Sequence, residues 1–332
     1  MLDIILFYLA APFRRFVTPD DQFNAWMLAG SLAFAMAWFA LRRPKRAFAR
    51  ARAVLAAAFP ARVWLHRSSL LDVKLFFLSS FLIASGALGQ LVTGGKIAGA
   101  LDDGLVRAFG PSPFASEASV PVALAMTVGY VLVVDLAYWY AHWIMHRMPA
   151  MWEFHKLHHS AEVMTPLTEW RQHPVELLLF PAVIALFMGA FYGAMTYLFG
   201  AAAQPFTWFN LNALMLAFMA TTLHLRHSHF WLPATGWLGY VIQSPAHHQI
   251  HHSDQDRHYG KNLGLVLSVW DWAFGTLYIP NEKETLAFGI GEEGHSHDGA
   301  LSAYWIPIVK AWKHVAPETP DAVQAPARTQ AP

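Results

Sequence analysis

Twelve of the eighteen histidines in this 332-residue chain fall into four tight groups: His142/His146, His155/His158/His159, His224/His227/His229 and His247/His248/His251/His252. Neutral imidazole offers a lone pair near physiological pH and is the commonest side-chain metal ligand. Residues three and four apart on a helix share one face, about 5 to 6 Å between Cβ atoms. His142 with His146, and the two HxxHH runs, can therefore each aim several rings in one direction. Nine or ten imidazoles are too many for one ion, so the pattern predicts a two-ion centre. Its expected ligands are His142, His146, His155, His158, His159, His224, His227, His248, His251 and His252. Within the third group His227 is the preferred ligand, with His224 its i,i+3 partner, while His229 would point elsewhere on a continuing helix. His247 reaches the face of His251 and is a candidate for a supporting or substrate-side role. An isolated i,i+4 pair is an ordinary surface feature; two triplets and a pair together are not. His66, His295, His297 and His314 stand apart and read as solvated side chains.

The donors available restrict the chemistry. With no cysteine, thiolate-ligated haem, cysteine-ligated iron–sulfur clusters and disulfides within the chain are excluded. The HExxH motif of zinc metalloproteases is absent, as are the glycine signatures of nucleotide-binding loops. No basic aromatic patch suggests nucleic acid as a partner.

The elements that must carry the histidines are set by composition. Apolar residues make up 55% of the chain and charged ones only 14%, which is too apolar for an ordinary soluble domain. Charge-free runs at 22–41, 75–95, 118–134 and 177–223 predict membrane spans. A span needs only about 20 residues, so the last run reads as two helices broken near Gly200 to Pro205. The fold class expected is an all-α integral membrane protein, with about four to five transmembrane helices and a cytosolic helical cap bearing the histidines. The first sixteen residues lack a basic start and a small-residue cleavage site, and read as an interfacial helix rather than a signal peptide.

Between the first two runs lie Arg42, Arg43, Lys45, Arg46, Arg50, Arg52, Arg62, Arg67 and Lys74, against the single Asp72. The positive-inside rule places this loop in the cytoplasm, and counting crossings from it brings all four histidine groups to that same side. The localisation expected is a bacterial inner membrane or an endoplasmic reticulum membrane. Three segments result: residues 1–120 as an anchor, 121–316 as a catalytic domain, and a Pro- and Ala-rich tail at 317–332 expected to be disordered.

Asp135 lies seven residues before His142 on the same helical stripe. A carboxylate inside a span is costly and takes a partner, and a ligating imidazole usually donates its other N–H to a carboxylate or carbonyl. Asp135 is therefore a candidate catalytic residue that orients a ligand, the alternative being a packing partner for a basic side chain. Tyr138, Glu153, Glu162, Glu169, Asp254 and Asp256 are further candidates.

These residues together resemble the fatty acid hydroxylase and sterol desaturase superfamily of integral-membrane di-iron oxygenases, over about residues 134–278. VDLAYWYAHWIMH is similar to that family's first HxxxH helix, WEFHKLHHSAE to its HxxHH element, HSHFWLP to a third ligand region and SPAHHQIHHSD to its last HxxHH. WRQHPVE resembles a further stretch that puts Arg171, His173 and Glu176 near the site, with His173 joining Asp135 and His247 as candidate catalytic residues. KNLG and WDWAFGTLY, with Asn262, Asp271 and Gly275, complete the match. The chain departs from the pattern at Trp143, at His229 and in the spacing His224-x-x-His227.

The resemblance implies two iron ions and O2 as co-substrate, acting on an unactivated C–H bond of a membrane lipid, acyl chain or sterol to give an alcohol or an alkene. The HPVE at His173 is not the HPGG of a fused cytochrome b5 domain, so electrons are expected from an external donor of cytochrome b5, ferredoxin or reductase type. The rival reading is a membrane metal transporter or store. Transporters place their ligands near the bilayer midplane on broken helices, whereas these groups lie at span ends.

Overall fold

A computed structural model describes residues 2–42, 56–86, 93–112, 114, 119–281, 283–297 and 299–316. The expected disordered tail, and the loop cations Arg43, Lys45, Arg46, Arg50 and Arg52, lie outside the described residues. The principal helices are α1 (Leu2–Arg14), α2 (Ala25–Arg42), α3 (Arg67–Ala84), α4 (Gly94–Phe109), α5 (Val120–Arg147), α6 (Pro149–His159), α7 (Pro174–Phe199), α8 (Ala213–Arg226), α9 (Pro245–His251) and α10 (Ala300–Val315).

The chain is an all-α membrane protein. Among the described residues α2, α5 and α7 with its continuation to Ala202 are long and apolar enough to cross a bilayer, and α8 is a shorter apolar helix. The remaining expected span, at 75–95, overlaps α3, which starts earlier and takes Asp72 and Lys74 into the helix. The break expected between α7 and α8 is present. Gly200 adopts φ 59° after α7, and a small antiparallel hairpin pairs β1 (Thr207–Trp208) with β2 (Leu211–Asn212). Phe209 and Asn210 between them both have positive φ, as a two-residue hairpin turn that matches strand twist requires.

Prolines set the boundaries that aim the histidines. The residue before a proline is pushed out of the α region; Met148 accordingly has ψ 117°, ending α5, and Pro149 starts α6 in a new direction. Pro174 and Pro245 likewise open α7 and α9, where a proline loses no helical hydrogen bond.

Packing then fixes the frame. On α7, a Cβ at Gly189 would sit 2.7 Å from Gly94 O, and one at Gly193 would sit 2.6 Å from Ala98 O. Small residues let α4 and α7 approach backbone to backbone. Leu71 and Leu75 of α3, Leu157 of α6 and Ala303 of α10 form one buried cluster, and Met27, Phe218, Met219 and Leu223 join α2 to α8.

Candidate metal centre

Nine histidines converge in two adjoining buried groups at the C-terminal end of α5. His142, His146, His155, His159 and His251 form one, and His158, His227, His248 and His252 the other; within each, the nearest ring nitrogens all lie within 4.8 Å of one another. Each HxxHH run divides between the groups. On α6, His155 and His159 face the five-histidine group while His158 faces the other; from α9, His248 and His252 pair and His251 crosses over. At 100° per residue, i and i+4 diverge by about 40° while i+3 falls on the opposite side of that stripe. One HxxHH helix can therefore serve two neighbouring ions.

The nitrogen geometry fits metal ions. His142 Nε2 lies 3.0 Å from His155 Nε2. In the second group His227 Nε2 is 3.2 Å from His158 Nε2, 3.1 Å from His252 Nε2 and 2.9 Å from His248 Nε2. Nitrogens held about 2.1 Å from one ion are separated by about 3.0 to 3.4 Å. The Nε2 atoms of His146, His159 and His251 are buried with no hydrogen-bond partner. Such orphaned acceptors are costly unless something occupies the space they face.

The far side of several rings is held. His142 Nδ1 donates to Leu263 O at 2.9 Å and His251 Nδ1 to Lys261 O at 2.8 Å. His155 Nδ1 donates to Glu176 Oε2 at 2.6 Å. His227 Nδ1 approaches Glu169 Oε2 at 2.9 Å, at an angle short of a hydrogen bond. Protonating Nδ1 leaves the Nε2 lone pair for an ion. Burial, reinforced by neighbouring imidazoles, pushes His158, His159 and His252 well below the ordinary histidine range, and His251 down to about 3. These rings are neutral at physiological pH. Burial would raise Glu169, but its contact with His227 and the nearby Arg226 charge outweigh that and bring it down to about 2, so it stays ionised.

Four expected site residues lie elsewhere. His224 is outside both groups, its ring 5.4 Å from that of Phe23. The helix ends at Arg226 and His227 turns to ψ 75°, so His224 and His227 do not share a face. Asp135 orients no ligand directly: its Oδ1 accepts the backbone N–H groups of Leu265 and Val266 at 3.0 and 2.6 Å. With Asp271, which accepts from Leu263 and Gly264, it clamps the loop whose Leu263 carbonyl receives His142. His173 caps α7, accepting from Val175 N–H and donating to Tyr304 O. His247 closes a capping box with Ser244 at the start of α9. The Nδ1 atoms of both accept backbone N–H groups at helix starts, while the Nε2 of His247 is buried with no hydrogen-bond partner.

Three participants escaped sequence reasoning. The carbonyls of Leu263 and Lys261 carry no side-chain signal. Arg226, wholly buried, donates from Nη2 to His248 Nδ1 at 2.8 Å, which sets the opposite tautomer from that of His142 and His251 and puts the proton of neutral His248 on Nε2; its signal was available, as the first charge after the long neutral run 177–223.

Residues 127–276 match the family model described as fatty acid hydroxylase. That segment is similar to the fatty acid hydroxylase family. All nine convergent histidines fall inside that segment. The chain is also 27% identical over 170 residues to an ornithine lipid hydroxylase of Rhizobium tropici, an alignment covering 51% of this chain and 46% of that protein. It is 28% identical over 155 residues to the alkylglycerol monooxygenase of Homo sapiens, covering 46% and 30% respectively. The chain thus spans less than half the length of these curated relatives. No solved structure matches it.

Proposed function

We propose that the protein is a membrane-bound, iron-dependent monooxygenase acting on a C–H bond of a membrane lipid. One observation carries this reading: nine imidazoles, three of them hydrogen-bonded from behind by Glu176 and the Leu263 and Lys261 carbonyls, form two adjoining nitrogen sites inside the segment that matches the fatty acid hydroxylase family. Relatives named as an ornithine lipid hydroxylase and an alkylglycerol monooxygenase support the substrate class. The reaction consumes O2, places one oxygen atom in the C–H bond and reduces the other to water with two electrons and two protons from an external donor protein.

Two iron ions, one in each histidine group, would supply O2 activation when bound. Imidazole also suits zinc, copper and nickel; iron is favoured by the family. The chain's own contribution is orientation. Glu176 and the Leu263 and Lys261 carbonyls hold ring planes, Glu169 lies behind His227, and α6 and α9 each span both sites. Burial keeps His158, His159, His248, His251 and His252 neutral. We place the histidine groups on the cytosolic side, from the basic residues Arg42, Arg62, Arg67 and Lys74 beside α2 and α3.

Purified protein in detergent, loaded with ferrous ion, tests the reading. Two irons per chain and reductant-dependent O2 uptake with an oxygenated lipid product are expected. Metal flux across vesicles without O2 uptake would instead establish the transporter reading.

A further inference from the structure

Helix α10 arranges its side chains the opposite way round from a helix that faces water. Toward the rest of the protein it buries Ala303, Pro307 and Ala311, spaced four apart on one stripe. Its large apolar side chains point away. Leu301, Trp305 and Trp312 are 88%, 65% and 66% exposed, and Ile308, Val309 and Val315 are exposed beside them. At about 100° per residue these fall on one continuous face opposite the buried stripe. A helix whose outer side met water would turn its large apolar residues inward. The helix carries no acidic residue, and its cations Lys310 and Lys313 fall together on one flank between the two faces.

Its neighbours place α10 where the spanning helices leave the hydrocarbon. Ala311 shares a buried cluster with Met145, in the last turn of α5, and with Phe154 of α6; Val175, Leu179 and Phe180 from the first turns of α7 pack against that cluster. Ala303 joins Leu71 and Leu75 of α3 and Leu157 of α6. The Tyr304 carbonyl accepts from His173 Nε2, one residue before α7, at 2.9 Å. Glu293 bridges Lys310 of α10 and Lys156 of α6, at 2.6 and 3.0 Å.

We infer that α10 lies in the plane of the membrane surface, with its Leu301, Trp305 and Trp312 face sunk into the leaflet on the histidine side, and that it thereby sets the height of α6 and its three histidines against the bilayer. The occupant of this face is lipid. Such a stripe is far from the scattered apolar residues of a water-facing surface, and it stands beside the ends of two helices long enough to cross the bilayer, at the depth where tryptophan rings settle. A cationic helix with Trp and Leu opposite its charges lies in the headgroup layer, its apolar side about 5 to 10 Å deep. Lys310 and Lys313 on the flank complement an anionic leaflet.

The chain contains no cysteine, so single labels can be placed on it directly. Full-length protein carrying Leu301→Cys, Trp305→Cys, Trp312→Cys or Lys313→Cys, each bearing a nitroxide, is reconstituted in vesicles of phosphatidylethanolamine and phosphatidylglycerol. Collisions of each label with O2, which concentrates in hydrocarbon, are compared with those of a water-soluble nickel chelate. The expected O2-to-nickel ratio is severalfold higher at the first three positions than at Lys313. Equal ratios at all four put the face in water and overturn the inference. Suppressed collisions with both reagents at the first three positions mean that protein covers the face, a second copy if the labels broaden one another and another segment of the chain if they do not; either result also overturns it. A wild-type thermal midpoint certifies each variant, and loss of fold in one leaves two others on the same face. No step of the measurement requires turnover, so its outcome is separate from that of the monooxygenase reading.

Discussion

Glu176 joins the start of a membrane helix to the metal centre: its Oε2 accepts the His155 Nδ1 proton at 2.6 Å while its Oε1 accepts the His173 backbone N–H at 2.9 Å. The capping box of α7 and the tautomer of one expected iron ligand thus share a single carboxylate. Glu176→Gln should retain much of the cap yet supply a neutral, weaker partner to His155. Loss of such an outer partner typically costs about 10- to 100-fold in metal affinity. Chelator competition against the wild type measures this, and an unchanged affinity would show that Glu176 serves only the helix end.

His158 and His251 stand in different groups, each among other imidazoles. His158→Ala and His251→Ala should each abolish turnover and lower bound iron. His224→Ala should leave iron content unchanged, because that ring lies outside both groups. Metal analysis of the three purified variants decides the matter; normal iron and activity in the first two would remove the basis of the assignment.

Arg171 and Asp72, both buried, pair at 3.0 Å, and Arg171 also donates to Leu157 O and to Ser160 at the end of α6. The pair ties α3 to the helix that carries His155, His158 and His159. Removing one partner of a buried pair costs about 3 to 5 kcal/mol because the other charge is stranded. Arg171→Met and Asp72→Leu should each lower the thermal midpoint sharply, and the double variant should recover part of that loss. Strict additivity of the two effects in unfolding measurements would argue against coupling.

Acid should destabilise the metal-free protein. His247 and His251 are pushed to about 3, chiefly by burial, and His158, His159, His248 and His252 lie well below the ordinary value. Because the unfolded chain takes up protons near pH 6.5 while the folded one does not, their contribution is complete above about pH 6.5 and declines as pH falls below it. Each such ring contributes a loss of about 1.4 kcal/mol per pH unit in that window. Thermal unfolding of chelator-treated protein at pH 8, 7, 6 and 5 should show a midpoint constant at the top and falling below 6.5; a flat profile would contradict neutral burial.

The amino-acid sequence by itself determined the helical membrane class, the break after Phe199 and nine of the side chains that meet, because each is encoded locally. Hydropathy runs mark apolar helices, proline and glycine end them, and three- and four-residue spacings put histidines on one face. Tertiary structure alone decided the rest. Spacing could not tell that His155 and His159 part from His158, since that depends on where α9 lies against α6. The sequence pattern also made His224 resemble a partner of His227, until the chain turned at Arg226. Asp135, His173 and His247 looked chemical from their types, yet their acceptors go to backbone N–H groups of nearby loops and helix ends. Conversely, the carbonyls of Leu263 and Lys261 support two rings with no side-chain signature at all. Which polar group answers which is a matter of distance between segments far apart in the chain, and distance is what only the folded molecule supplies.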